Sequence, residues 1–195
     1  MNFSKFCTAC GAALQCLVPP GDNRERAVCP NCANVHYVNP RIVVGTIPVY
    51  EDGPISRVLL CKRAIEPRHG FWTLPAGFME VDETMQDGAE RETWEEAQAR
   101  VIVQAPFTML DVKSAQQMHI FFRARLETPS FAAGTESLEV RLFAERDIPW
   151  DELAFKTVSK TLELYFADRQ QGFFRLHTGD LHAPHSWSCR QFSQD

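Results

Sequence analysis

Runs of β-branched and aromatic residues broken by turn residues dominate the chain from residue 41 onward. IVVGTIPVY, Ile42–Tyr50, predicts a strand, and Asn39-Pro40 ahead of it bias the backbone toward the extended region. EDGP supplies turn residues, and SRVLLCKR after it predicts the second strand of a hairpin-like pair. GFWTLP reads as a short extended segment. VIVQAPFTMLDV, QMHIFFRARL and the shorter EVRLFA are further strands. Two stretches change period. One helix is predicted from Thr84 to about Ala97, with Thr84 as N-cap and Asp87 as a weak reciprocal partner. In the other, Val158, Leu162, Tyr165 and Phe166 recur at i, i+4, i+7 and i+8, and Gly172 supplies a stop. FFRLH would form a last strand, with an irregular chain from Thr178 onward. The pattern has no internal repeat and predicts the α/β class, a mixed sheet flanked by two main helices.

At 195 residues the chain can fill one core and carry a small extra module, and its 45% apolar content is ordinary for a globular protein. No apolar run approaches the ~18 residues that span a bilayer, so no transmembrane segment is expected. The N-terminus lacks the features of a secretory signal, which makes a cytoplasmic location the expectation. A net charge of -5 argues against a broad nucleic-acid-binding surface. It also implies that an anionic substrate would need a recruited cation.

Cys7-Thr-Ala-Cys10 and Cys29-Pro-Asn-Cys32 are two CxxC pairs separated by 18 residues, the spacing of a four-cysteine zinc site. Four thiolates close a tetrahedral shell, so such an ion is structural and stabilises a segment too short for its own core. Gly11 suits the tight turn after the first pair. Two disulfides are the competing reading, disfavoured by an odd total of seven cysteines and by a reducing compartment. Cys61, within VLLCKR, reads as core.

The first helix carries Glu92, Glu95 and Glu96 on one face, where like charges at i, i+3 and i, i+4 each cost about 0.2–0.5 kcal/mol. Acids near a helix C-terminus also oppose its dipole. Arg91, four residues before Glu95, neutralises only part of this charge. A hard divalent cation, Mg²⁺ or Mn²⁺, prefers the oxygens that these three carboxylates and the nearby loop backbone at Ala76 or Gly77 could offer. A solvated charged face is the bland alternative for an arbitrary acidic cluster.

The surrounding pattern shifts the balance. Gly77, five residues, Glu83, seven residues and then Arg91-Glu92-Thr93-Trp94-Glu95-Glu96 resembles the Nudix box, Gly-x5-Glu-x7-Arg-Glu-U-x-Glu-Glu-x-Gly-U, where U is aliphatic. Thr93 departs at an aliphatic position and Gln98 at the second glycine, where a left-handed backbone would be strained for a residue with a Cβ. The resemblance implies the Nudix hydrolase fold, an α/β/α sandwich with a mixed sheet, over residues 39–178. A small four-cysteine zinc ribbon would precede it at 1–38 and an irregular tail would follow at 179–195. It implies hydrolysis of a nucleoside diphosphate linked to another moiety. Glu92, Glu95 and Glu96 would be the ligands of catalytic Mg²⁺ or Mn²⁺, with Ala76 beside them, while Glu83 and Arg91 orient those ligands. The general base would be a box glutamate or one on a distal loop, where Glu136 and Glu139 are candidates and Glu139 is counted with the catalytic set. Arg63 and Arg68 would contact phosphate or leaving group, and Phe71, Trp72 or Phe78 would stack on a ring or pack in the core.

NPRIVVG, LLCKRAIEPRHGFWTLPAGFME and ESLEVRLFA are similar to zinc-ribbon Nudix proteins that include plant FAD and ADP-ribose pyrophosphatases, which makes FAD or ADP-ribose the expected small-molecule substrate. The NADH pyrophosphatase group, some of which remove NAD caps from RNA, shares the zinc-ribbon layout. Its SQPWPFPxS marker is absent from APFTMLDVKSAQQMHIFF. A non-catalytic nucleotide- or nucleic-acid-binding module is a further alternative, disfavoured by the complete box acids. Related proteins imply a homodimer.

Overall fold

A computed structural model of the chain describes residues 4–52, 55–181 and 188–190. The chain divides into two compact units, Met1–Pro40 and Arg41–Asp195. In the first, β1 (Gln15–Leu17), β2 (Arg26–Val28) and β3 (Val35–His36) form an antiparallel sheet in that order. The two CxxC turns are built alike: the Gly11 amide donates to the Cys7 carbonyl and the Ala33 amide to the Cys29 carbonyl, both at 2.9 Å. Both residues have positive φ, 76° and 58°. The second turn therefore places alanine in a conformation that costs an L-residue about 1–2 kcal/mol.

The second unit contains β4 (Arg41–Asp52), β5 (Ile55–Arg63), β6 (Trp72–Thr73), β7 (Ala76–Phe78), α1 (Met85–Ala97), β8 (Val101–Val112), β9 (Gln117–Leu126), β10 (Ser137–Ala144), α2 (Lys156–Gln171), β11 (Leu176–Asp180) and β12 (Ser188–Arg190). Its nine-stranded sheet runs β10-β5-β4-β9-β8-β11-β12, with β6 pairing β5 and β7 pairing β4. The β4–β9 and β8–β11 pairs are parallel and the rest antiparallel, so the sheet is mixed.

Period-two alternation sorts side chains between two helical layers. On β5, Val58 and Leu60 join a cluster with Val158, Leu162, Tyr165 and Phe166 of α2, whereas Leu59 and Cys61 join one with Ala97 of α1. On β4, Ile47 and Val49 pack toward α2, while Val44 packs with Ala89 of α1 and Thr46 bonds to Thr93. The sheet is thus sandwiched between α1 and α2. Cys61 is buried, as expected for core. No described helix is long and apolar enough to cross a membrane.

Three local expectations need correction. Ala76 and Gly77 are not loop: they lie in β7, antiparallel to Val43–Gly45 of β4. FFRLH is not one strand, because the chain turns at Gly172 and Phe174 stacks on Tyr165 with ring centroids 5.4 Å apart. The strand begins at Leu176 and continues through Asp180, with Thr178 opposite Met109 in a parallel ladder to β8. The chain from Thr178 is therefore not wholly irregular, since β12 also pairs with β11. Positions 182–187 and 191–195 of that tail lie outside the described residues. The ladder depends on a partner far away in sequence, which local alternation does not reveal.

Candidate active site

Helix α1 begins at a complete capping box. Thr84 Oγ1 accepts the Asp87 amide at 3.2 Å and the Asp87 carboxylate accepts the Thr84 amide at 3.3 Å. Thr93, at an aliphatic position of the box, is fully buried; its hydroxyl bonds to the Ala89 carbonyl at 2.7 Å and the Thr46 hydroxyl at 2.6 Å. The helix ends with Gln98 in the left-handed region, φ 47° and ψ 33°. Its last carbonyls are not left bare: the amides of Gln98, Gly134 and Ala132 reach the Trp94, Glu96 and Ala97 oxygens at 2.8, 3.0 and 2.9 Å.

That contact pins the loop before β10 across the end of α1. Gly134 packs so closely on the Glu95 carbonyl that a Cβ could not fit. A second bond, from the Ala64 amide to the Glu136 carbonyl at 2.8 Å, ties the loop to the end of β5. These contacts bring Glu136 into a cleft of about 1110 Å³ that Glu92, Glu95 and Glu96 also line. Gly77 lines it too, and a Cβ there would collide with the Glu92 carboxylate.

One guanidinium organises most of the acidic cluster. Arg91 donates from Nε and Nη2 to Glu83 at 2.9 and 2.7 Å, and from Nη1 to Glu92 and Glu95 at 2.8 and 3.0 Å. It also reaches the Phe78 carbonyl at 3.1 Å. The Arg91 hydrogen bonds hold the Glu83 carboxyl down at about 2. Glu92 is shifted the other way, because burial outweighs the help of Arg91.

Glu96 receives none of these bonds. It is 6% exposed, and its Oε2 is buried without a hydrogen-bond partner. Burial, followed by the neighbouring Glu92 charge, raises its carboxyl to about 8, against the pull of Arg63 and a hydrogen bond from the Ala76 backbone. A buried carboxylate oxygen with nothing to bind is costly unless it is protonated or meets a cation. Two acidic side chains in a cleft, one with a free inward oxygen, match the hard-oxygen preference of Mg²⁺ or Mn²⁺. Among the described residues, however, only the four cysteines gather three or more ligand atoms within 4.8 Å of one another. No three of the box carboxylates meet that limit, and Arg91 bonds to Glu83, Glu92 and Glu95 but not to Glu96.

The cysteine cluster fits its expected ion. Cys7–Cys32 and Cys10–Cys29 sulfur distances are 3.7 and 3.4 Å. Zn–S bonds of about 2.3 Å at tetrahedral angles put sulfurs about 3.8 Å apart. His36 Nε2 lies 3.3 Å from Cys7 Sγ, and that hydrogen bond pulls the thiol down to about 6.

The remaining candidates separate. Arg63, Ala76 and Phe78 line the cleft, with Arg41 stacked 4.5 Å from the Phe78 ring centroid. Arg68 does not line it; its guanidinium sits over Phe71 instead. Glu139 is likewise outside, within β10 opposite Lys62 and paired to Arg141 at 2.5 Å. The distal-loop carboxylate at the cleft is therefore Glu136, because the loop bonds hold position 136 while strand pairing carries 139 away. Trp72 is core, edge-on to Phe143 at 4.9 Å.

Sequence reasoning passed over Gly134, Lys156, Thr157 and His119, all four on the cleft wall. Burial holds the His119 imidazole neutral, down to about 4, with Nε2 2.9 Å from Gln117 Oε1. Gly134 alone left a signal, as an isolated glycine in a loop rich in small residues.

A sheet between two helices, with a capped acidic helix and a loop closing over its end, defines a Nudix hydrolase. Residues 39–165 match the model of the NUDIX domain and residues 5–38 that of the Nudix N-terminal zinc ribbon. The chain belongs to the Nudix hydrolase family. Its structure is similar to the crystal structure of a NUDIX hydrolase from Nitrosomonas europaea, with 45% identity, coverage of 91% of this chain and 99% of that one, and a TM-score of 0.86. The NAD-capped RNA hydrolase NudC of Chromobacterium violaceum is 35% identical over 97 residues, 50% of this chain and 33% of that protein. A MutT-like protein of Streptomyces ambofaciens is 44% identical over 62 residues, 32% of this chain and 36% of that protein. The matches thus span about a third of these curated relatives' length.

Proposed function

We propose that this chain hydrolyses the pyrophosphate bond of a nucleoside diphosphate linked to another moiety, with FAD or ADP-ribose as substrate. The observation that carries the reading is the Glu96 carboxylate, buried at the cleft with one oxygen lacking any partner. Glu96 and Glu92 would hold Mg²⁺ or Mn²⁺, joined by Glu95. Arg91 is a positioning residue: it stores these side chains before the ion arrives and keeps Glu83 ionised beside them. A bound divalent ion would polarise phosphoryl oxygens and lower the pKa of a water. Glu136 would accept the water's proton, a role supported by its place on the cleft wall and by the action of its charge on Glu92 and Glu96. Phe78, half-exposed on the cleft wall, offers a ring face to the base or isoalloxazine. The four cysteines hold a structural zinc ion.

Relatives named NAD-capped RNA hydrolases favour a second reading, cleavage of the same bond type in NADH or an NAD-capped RNA. The test is turnover with added Mg²⁺ or Mn²⁺ on FAD, ADP-ribose, NADH, NAD-capped RNA and nucleoside triphosphates, with Glu96→Gln as control. The expected result is release of nucleoside monophosphate from FAD or ADP-ribose, at least tenfold faster than from the others. Turnover of triphosphates alone would refute the substrate class, and no turnover of any would leave a binding module.

A further inference from the structure

The first turn of α2 opens onto the same cleft. Its N-cap, Phe155, has extended backbone and no side-chain cap. Only the amides of Val158 and Ser159 return to the Phe155 carbonyl, at 3.0 and 3.2 Å. Ahead of them, Lys156 and Thr157 both line the cleft. Lys156 is exposed, whereas Thr157 is 3% exposed and its Oγ1 is buried with no hydrogen-bond partner. A buried hydroxyl without a partner costs about 1–3 kcal/mol. Helix N-termini present unpaired N–H groups and a positive dipole end, which favour anions.

The surroundings agree in sign. Arg63 lines the cleft, is tethered through Nε to the Pro67 carbonyl at 2.9 Å, and stacks 5.1 Å from the Phe155 ring centroid. Its charge also acts on Glu96, so it bridges the box and the start of α2. The carboxylates on the cleft wall are Glu66, Glu80, Glu92, Glu95, Glu96 and Glu136; none comes from the segment leading into α2. The cleft thus pairs an acidic wall that needs a cation with a helix end that needs an anion.

We infer that the first turn of α2 is an oxyanion subsite that holds the substrate phosphate not bound at the box carboxylates. It does so through the Lys156 and Thr157 amides, the Thr157 hydroxyl and the Lys156 ammonium, with Arg63 beside them. The assignment rests on reading the cleft as a diphosphate site. It adds that the two phosphates are gripped by different means, one through a cation and one directly by the protein. The direct grip operates without a divalent ion.

The test uses the zinc-loaded full chain with no added Mg²⁺ or Mn²⁺ and inorganic phosphate as probe, followed by amide NMR. The Lys156 and Thr157 amides should shift saturably. Thr157→Val should weaken phosphate binding tenfold or more without lowering the melting temperature of the phosphate-free protein, and Thr157→Ser should retain binding. Lys156→Gln should weaken binding and flatten its salt dependence. Absence of a saturable shift at these amides, or unchanged affinity in Thr157→Val, overturns the subsite. Phosphate binding here in a protein that turns over no diphosphate would refute the proposed hydrolysis and leave the subsite standing, while turnover without it would do the reverse.

Discussion

Replacing Glu96 by glutamine isolates the tension in the acidic helix. The unfolded chain releases this proton near its ordinary value of 4.5, whereas the folded protein keeps it to about 8. Between those values the folded state binds more protons, so stability without added cation falls as pH rises from 4.5 to 8 and levels off beyond. At about 1.4 kcal/mol per pH unit, the loss reaches about 3 kcal/mol at pH 7 and about 5 kcal/mol at full ionisation. Glutamine keeps the shape and removes the titration. Without added Mg²⁺, Glu96→Gln should therefore be within about 1 kcal/mol of the parent at pH 5 and more stable at pH 8. In a unit of this size the pH 7 difference corresponds to a melting temperature about 6–12 °C higher. Adding Mg²⁺ should close most of the pH 7 gap, since an ion at a hundred times its dissociation constant stabilises the parent by about 2.7 kcal/mol and has lost its site in the variant. Below pH 8 the parent must give up the Glu96 proton to bind the ion, so its apparent Mg²⁺ affinity should rise with pH. Differential scanning calorimetry from pH 5 to 9, with and without Mg²⁺, measures all of this. A variant less stable than the parent at pH 8 without Mg²⁺, or one with the parent's pH slope, would refute the reasoning.

Other substitutions probe the scaffold. Gln98→Gly relieves the left-handed backbone at the α1 C-cap and should raise the melting temperature by about 2–4 °C, read by the same calorimetry. Thr93→Val strands the buried Thr46 hydroxyl and should cost about 1–3 kcal/mol in urea unfolding, most of which the double variant Thr46→Val/Thr93→Val should recover. Metal analysis should find one zinc ion per chain, lost in Cys10→Ser together with amide dispersion for residues 5–38.

What could be read without coordinates was whatever lies in local spacing. Apolar, β-branched and aromatic runs bounded by turn residues placed Val58–Cys61 and the strand at 117–126, the i, i+4, i+7 pattern placed the buried face of α2, and Thr84 with Asp87 marked the start of α1. The two CxxC pairs announced their cluster because four sulfurs on two turns converge by spacing alone. Features that depend on long-range pairing were not legible. β11 is a strand because β8 lies beside it, and β7 because β4 does. Glu136 enters the cleft rather than Glu139 because Gly134 and Ala132 bond to the end of α1, nearly forty residues earlier in the chain. Arg91 neutralises only part of the acidic charge, leaving Glu96 out, but an i, i+4 argument counts Glu95 alone and misses its bonds to Glu83, from the turn before the helix, and to Glu92.

Anomalous diffraction from crystals grown with Mn²⁺ and a non-hydrolysable nucleoside diphosphate conjugate addresses the central claim most directly. The account predicts a manganese peak within coordination distance of the Glu96 carboxylate, with Glu92 released from Arg91 to share it and a diphosphate oxygen completing the shell. A cleft with no such peak, Glu92 still bonded to Arg91 and Glu96 without a metal would contradict it.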